Sequence, residues 1–179
     1  MMRNFTVTDE VRDYAAGHGS WPPGEVVQQL RANTAALGEV AGMQIGDDQG
    51  QLLTLMARLV GAHHAVEVGT FTGYSTLCIA RGPRQGGTLL CCDISAQWTA
   101  IGARAWTQAG LRDRIELAIG PALQTLRALP PEAVIDLAFI DADKAGLRRL
   151  LGRAGPPGAP RRRAPGRQRA LERSGRGPQ

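Results

Sequence analysis

Lysine is nearly absent from this chain: of its 21 basic residues, only Lys144 is a lysine. Cysteine is also scarce, and the three present form no CxxC pair and have no histidine or cysteine at zinc-ligand spacing. This argues against a disulfide framework or a zinc site, so we expect reduced core thiols in a cytoplasmic protein. No apolar run approaches the roughly 18 to 20 residues of a membrane span, and the start has no secretory signal pattern, so no membrane partner is expected.

Acidic residues are almost missing from the C-terminal part of the chain. Residues 147–179 carry ten arginines and one glutamate, a net charge of +9, whereas residues 1–146 carry −4. The overall charge of +5 is therefore a property of the tail alone. Arginine, glycine and proline make up 21 of its 33 residues, without an aromatic or β-branched residue. Such a composition cannot build a core and predicts a disordered basic arm.

The body of the chain alternates between strand and helix patterns. Strands are predicted at 64–69, 87–94, 114–120 and 134–142, and helices at 47–61, 75–82, 95–110 and 121–129. Asp47 and Ser95 are the expected helix caps, and Gly61 and Gly110 the expected stops. The first of these helices has apolar residues at helical spacing: Leu52, Leu55, Met56, Leu59 and Val60. Alternation of this length implies right-handed crossovers and a doubly wound, mostly parallel α/β sheet.

The first predicted strand ends in "EVGTFTGYST", where Gly69 and Gly73 allow a ligand to approach the backbone at the start of a helix. Asp93 ends the second strand, 20 residues after Gly73. An acid at that place usually accepts hydrogen bonds from ribose hydroxyls, which indicates an adenosine-containing cofactor. The G-x-x-x-G spacing departs from the G-x-G-x-x-G that packs a pyrophosphate against the helix.

Six motifs in order resemble the caffeoyl-CoA-type O-methyltransferases, which are cation-dependent enzymes that use S-adenosylmethionine. They lie in "MQIGDDQGQLLTLMARLVGAHHAVEVGTFTGYSTL", "CDIS", "GPALQTL" and "LAFIDADKAG", so the resemblance covers roughly residues 20–146. It implies a Rossmann-like methyltransferase sheet, a divalent cation (usually magnesium), a phenolic, catechol-like substrate and a homodimer. The domains are then an N-terminal helical extension (1–46), an incomplete S-adenosylmethionine-binding core (47–146) and the basic tail (147–179).

The resemblance also assigns roles to single residues. Asp141 would be a metal ligand facing the substrate, and Lys144 the catalytic base. The cofactor would be bound by Met43, Ile45, Glu67, Gly69, Thr70, Ser75, Asp93 and Ala122. A hard cation held by carboxylates favours the phenolate of a catechol, and a neighbouring lysine can take the proton. Retention of a single lysine at position 144 agrees with that role, because a guanidinium is a very poor base.

The tail, residues 147–179, does not resemble the corresponding part of this family. The family continues with an aromatic-rich helix and a fifth strand ending in Asp-Asn, which completes the metal site, but Arg167 and Gln168 stand there. A coding sequence for Ala-Asp-Tyr-Trp-Ala-Glu-Leu-Val, read in a shifted frame, encodes residues 148–155, and one for Asp-Asn-Val-Leu-Trp-Ser encodes residues 168–173. We therefore hypothesise that residues 147–179 are translated out of frame and that the sheet stops after an exposed fourth strand. Sequencing of the locus tests this.

Other interpretations stay open. The glycine-rich turn could belong to an NAD-type oxidoreductase, and the basic tail to a nucleic-acid-binding protein, although G-x-x-x-G and the six motifs argue against both. Asp93 could merely cap a helix, and the acids after the fourth strand could be a solvated loop. His63 and His64 are expected in a loop, Arg112 and Arg114 in a solvated turn, and Trp98 and Trp106 in packing.

Overall fold

The structure is a computed structural model in which residues 7–18 and 24–142 are described. The helices are α1 (Asp9–Gly17), α2 (Glu25–Ala35), α3 (Asp47–Leu59), α4 (Tyr74–Ala80), α5 (Ala96–Gln108) and α6 (Ala122–Ala128). The strands are β1 (His64–Val68), β2 (Thr88–Asp93), β3 (Ile115–Ile119) and β4 (Leu137–Ile140), and two 3-10 helices span Gly38–Met43 and Arg112–Arg114. The basic tail lies outside the described residues.

The four strands form one parallel sheet in the order β3-β2-β1-β4. The predicted α/β class and parallel pairing are confirmed. Strand β4 is shorter than the predicted 134–142, since its register with β1 runs from Leu137 to Ile140 and only the N–H groups of Asp136 and Asp141 extend the bonding to β1. Within the described residues β4 is an edge strand, with Val134 and Ile135 exposed just before it. That the sheet stops there stays a prediction, because residues 143–179 lie outside the described part of the chain.

Side chains of the strands alternate between two apolar clusters, one on each face of the sheet. Ala65, Leu89 and Cys91 pack with residues of α2, α4 and α5 on one face. Val66, Val68 and Cys92 pack on the other, against partly buried residues that include Ala122 and Leu126 of α6. The helices on both faces bury the central strands, as a parallel sheet requires.

Helix α3 differs from its prediction in two ways. Its N-cap is Gly46, while Asp47 lies inside the first turn, where its carboxylate pairs with Arg31 and accepts a hydrogen bond from Tyr74 Oη at 2.7 Å. The face that packs against α4 consists of small residues, with Gly50, Thr54 and Ala57 buried. The predicted apolar positions are instead exposed in the described part of the chain: Leu52, Leu55, Met56, Leu59 and Val60.

The N-terminal extension is helical, as predicted. Helix α1 is capped by the Thr8 hydroxyl, and α2 packs against α4 and α5. The buried Thr34 hydroxyl of α2 donates to Thr72 Oγ1 at 2.8 Å, which connects α2 to the turn after β1. Within residues 7–18 and 24–142, none of the helices has the length and apolar character needed to cross a membrane.

Candidate functional site

The turn between β1 and α4 has an unusual backbone. Gly69 and Gly73 have positive φ angles of 92° and 81°, and Phe71 between them has φ 51°, a left-handed conformation that costs a non-glycine residue energy. Glycine is required at Gly73 for a second reason, because a Cβ atom there would lie 2.6 Å from the buried Trp106 ring. Trp106 Nε1 also donates to the Gly73 carbonyl at 3.1 Å, so tertiary contacts hold this turn.

Asp93 holds the same turn from the end of β2. The backbone N–H groups of Thr70 and Phe71 each donate to Asp93 Oδ2 at 2.8 Å. The Ser95 N–H donates to Asp93 Oδ1 at 2.7 Å, and the Ser95 hydroxyl caps α5 by accepting from Trp98 N. Ser95 is therefore the predicted cap, and Asp93 bridges the first turn to the start of the next helix. A carboxylate has about four lone-pair sites and can therefore accept all three of these bonds.

A cavity of about 280 Å³ opens at the carboxyl ends of β1, β2 and β4. Seven of the predicted site residues line it: Met43, Ile45, Gly69, Thr70, Ser75, Asp93 and Asp141. The sequence thus placed residues from five separate segments around one cavity. Their individual roles stay predictions.

The cavity also contains polar atoms without partners. Gln44 Oε1 and Thr70 Oγ1 are buried without a partner of hydrogen-bond geometry among the described residues, although the Thr70 hydroxyl lies close enough to Glu67 to lower the pKa of that carboxyl, and both residues line the cavity. Buried polar atoms are normally paired, so these two atoms favour a polar ligand here.

Two predicted cofactor residues do not line this cavity. Glu67 is fully buried beneath the turn, with 0% of its surface exposed. Its Oε2 accepts from the Thr76 hydroxyl and from Cys91 Sγ at 3.4 Å, whereas Oε1 has no partner with hydrogen-bond geometry among the described residues. Ala122 starts α6 and packs against the apolar cluster of Val66, Val68 and Cys92, on the face of the sheet that α6 covers.

Burial raises the pKa of Glu67 to about 7, although nearby hydroxyls, first that of Ser75 and then that of Thr76, lower it in part. An ordinary glutamate has a pKa near 4.5. The Glu67 side chain is therefore close to half protonated at neutral pH. A cationic ligand group close to it would favour the carboxylate form.

Several residues that line the cavity were not predicted for the site. Trp98 was expected only to pack, but it lines the cavity and contacts Phe71 edge-to-face at 5.1 Å between ring centroids. Gln44, Thr72 and Tyr74 line the cavity as well. Gln44 stands between Met43 and Ile45, which were both predicted to bind the cofactor, so its position between them could have indicated that it lines the cavity. Trp98 lies one helical turn after Ser95, but its contact partner Phe71 lies on another element, so no signal in the sequence indicated it.

Of the two residues predicted to face the methyl acceptor, Asp141 and Lys144, the structure describes only Asp141. Asp141 is exposed at the end of β4, and its N–H donates to the Val68 carbonyl at 2.9 Å. Lys144, Asp143, Arg167 and Gln168 lie outside the described residues. Among residues 7–18 and 24–142, no three potential ligands from histidine, cysteine, aspartate and glutamate meet in one place. The described residues therefore do not form a divalent-cation site, and metal dependence stays a prediction.

The remaining polar candidates have structural contacts. The N–H groups of His63 and His64 donate to Asp136 Oδ2 at 2.9 and 3.1 Å, which ties the start of β1 to the segment before β4. Arg112 donates to the Ile115 carbonyl at 2.6 Å within its turn. Trp106 is the packing residue that was expected, with 0% exposure.

A family model described as O-methyltransferase matches residues 19–153. The chain belongs to the O-methyltransferase family. The match includes α2 to β4 and therefore the whole described cavity, and it supports the family inferred from the six motifs.

Relatives with names in this family are similar over a little more than half of this chain. The chain is 40% identical over 100 residues to catechol O-methyltransferase domain-containing protein 1 of Mus musculus, which covers 54% of this chain and 38% of that protein. It is 36% identical over 106 residues to caffeoyl-CoA O-methyltransferase 2 of Zea mays, covering 57% and 40%. The chain thus spans about two fifths of the length of these curated relatives.

A solved O-methyltransferase has the same fold. The structure of the O-methyltransferase from Bacillus cereus in complex with SAH (S-adenosylhomocysteine) superimposes with a TM-score of 0.74 at 29% identity. The similarity covers 81% of this chain and 66% of that one.

Proposed function

We propose that this chain carries the cofactor-binding part of an S-adenosylmethionine-dependent O-methyltransferase whose acceptor is a phenolic, catechol-like hydroxyl. The observation that supports this most is the single cavity at the strand ends, formed by seven predicted site residues in a chain of this family. The bound SAH of the Bacillus cereus relative supports the cofactor class. The names of the mouse and maize relatives support the acceptor class.

Asp93 is proposed to bind the ribose through the hydrogen-bond acceptor site of its carboxylate that the backbone does not use. A carboxylate has about four lone-pair sites. Two on Oδ2 and one on Oδ1 are used by the backbone N–H groups of Thr70, Phe71 and Ser95. One site on Oδ1 is left for a ribose hydroxyl. Asp93 therefore has two roles: it shapes the turn and it binds the sugar.

The other cofactor contacts follow from the lining of the cavity. Gln44 and Thr70 would use their unpartnered oxygens, and Trp98 with Phe71 would form an aromatic wall beside the ligand. Glu67 would act from below the turn as a buried carboxylate that favours a cationic cofactor. When bound, the sulfonium of the cofactor supplies the methyl group, so the contribution of these residues is to position it.

Asp141 is proposed to face the acceptor and Lys144 to take its proton. Ala122 is proposed near the adenine, as the resemblance implies. From the family we also expect dependence on magnesium and assembly into a homodimer.

Methyl transfer from S-adenosylmethionine to a simple catechol, with and without a chelator, tests this function. We expect no chelator-sensitive turnover from the 179-residue chain and robust turnover once the downstream frame is restored. In the restored chain, Lys144→Met or Asp141→Ala should remove most of the activity. A restored chain without transfer would overturn the proposed function. Chelator-sensitive transfer by the 179-residue chain would instead contradict the out-of-frame interpretation.

A further inference from the structure

A second and larger cavity, of about 470 Å³, lies away from the strand ends. It runs along the groove between α3 and α4 and is closed by the start of α2 and the end of α5. Asp47 and Arg58, at opposite ends of α3, both line it. At a rise of 1.5 Å per residue, these two positions are about 16 Å apart, so the cavity is elongated.

Positive charge collects at one end of this groove. Three arginines line it, Arg58 from the last turn of α3, Arg81 from the C-cap of α4 and Arg114 from the second 3-10 helix. The one acidic residue in the lining is Asp47, whose carboxylate is already engaged by Arg31 and by the Tyr74 hydroxyl. The electrostatic balance of the groove therefore favours an anion.

Two of these arginines have no partner of their own. Arg81 and Arg114 are half-buried, and no side-chain hydrogen bond or ion pair is found for either among residues 7–18 and 24–142. Arg58 makes a long contact of 3.5 Å to the Arg81 carbonyl. Arginines near helix C-termini commonly balance the helix dipole, which accounts for Arg58 and Arg81 in part. It does not account for Arg114, which follows no α-helix end, or for the convergence of all three on one cavity.

The rest of the groove is neutral. Val27 of α2, Thr54 of α3 and Leu111 after α5 line its body, and the Thr54 hydroxyl is already bonded to the Cys78 carbonyl at 2.8 Å. A ligand that fits has an uncharged body and a charged group at the arginine end. Guanidinium groups bind phosphate through paired N–H donors, so a phosphoryl group matches three arginines best.

We propose that this groove binds a small organic phosphate, with its phosphoryl group among Arg58, Arg81 and Arg114 and its body along α3 and α4. The site is separate from the cofactor cavity and does not depend on the proposed methyl transfer. Tyr74 lines both cavities and is their shared wall.

Calorimetric titration of the full chain with n-butyl phosphate, at constant ionic strength, tests this proposal. We expect saturable binding that is tighter than that of inorganic phosphate, because the neutral body adds contacts. Arg81→Gln and Arg114→Gln should each weaken binding about tenfold, as expected for loss of a charge-assisted hydrogen bond. If the melting curve of Arg81→Gln shows that this variant does not fold, the binding test rests on Arg114→Gln alone.

Two controls separate the groove from general basicity. Arg127→Gln changes an exposed arginine on α6, across the sheet from the groove, and Arg161→Gln changes one in the basic tail. Both variants should bind n-butyl phosphate within twofold of the unmodified chain. Equal losses in the controls, equal affinity for inorganic phosphate, or an absence of saturable binding would each overturn the proposal.

Discussion

The two sides of the sheet's first strand differ in how completely they are buried. On the β2 side, every residue of α4 from Tyr74 to Ala80 is buried, and Trp106 fills the space beneath the turn. On the β4 side, the sheet has an open edge in the described part of the chain. The apolar stripe of α3, the helix that packs on α4, is exposed as well, with Leu52 54% and Leu59 71% accessible. The cofactor cavity is held by the first side, while Asp141 belongs to the second. The preformed part of the site is therefore the part that we propose binds the cofactor.

We expect the largest effect on the free energy of unfolding when a buried side chain and an exposed one are each replaced by alanine. Trp106→Ala removes a fully buried ring and its hydrogen bond to the turn, and should lower the free energy of unfolding by about 3 to 5 kcal/mol. Leu59→Ala on the exposed stripe should change it by less than about 0.5 kcal/mol. Urea unfolding of both variants measures this. Similar losses would mean that the α3 stripe is covered.

The second effect concerns the buried carboxylate on the well-packed side. Burial raises the pKa of Glu67 from 4.5 to about 7, so the folded state loses stability as the pH rises from 4.5 to about 7 and the loss is constant above that. Glu67→Gln should therefore be more stable than the unmodified chain by up to about 3 kcal/mol at about pH 8, with little difference near pH 4.5.

Urea unfolding across this pH range provides the measurement. The unmodified chain should lose stability relative to Glu67→Gln as the pH rises. Parallel pH profiles for the two proteins would show that the Glu67 pKa is not raised.

Asp93→Ala should weaken S-adenosylhomocysteine binding by about 1 to 3 kcal/mol, through loss of a ribose acceptor and release of the turn. Asp113→Ala, an exposed acid outside the cavity, should leave the affinity unchanged. Calorimetry on the frame-restored chain gives both values. Unchanged affinity in Asp93→Ala would remove this residue from the site.

The smallest effect tests the open edge. Ile135→Lys places a charge on an exposed apolar position beside β4, which should reduce aggregation while changing unfolding free energy by less than about 0.5 kcal/mol. Light scattering during slow heating measures the aggregation, and urea unfolding measures the stability. A large loss of stability would show that Ile135 is buried in solution.

Local pattern predicted much of this fold. The strands, the Ser95 cap and the Gly110 stop follow from alternation, hydrogen-bonding type and positive φ, all of which act over a few residues. The shared cavity also followed, because parallel strands bring their carboxyl ends together.

What could not be predicted depends on partners distant in sequence. Apolar spacing in α3 indicated a buried face, but the face that packs on α4 was chosen by close approach of small residues such as Gly50 and Ala57. Asp47 was predicted as a cap but pairs with Arg31 and Tyr74, and Asp93, predicted as a ribose acceptor, also holds the turn after β1. Trp98 gave no sign of lining a cavity, because its neighbour Phe71 lies on another element.

The central claim, a preformed S-adenosylmethionine site on the well-packed side of β1, is tested most directly by calorimetry with S-adenosylhomocysteine on the unmodified 179-residue chain. The account predicts saturable binding, weakened by the missing contacts of the acceptor side, with no binding of NAD under the same conditions. Binding of NAD in preference to S-adenosylhomocysteine, or of neither by a chain with a cooperative melting transition, would contradict it.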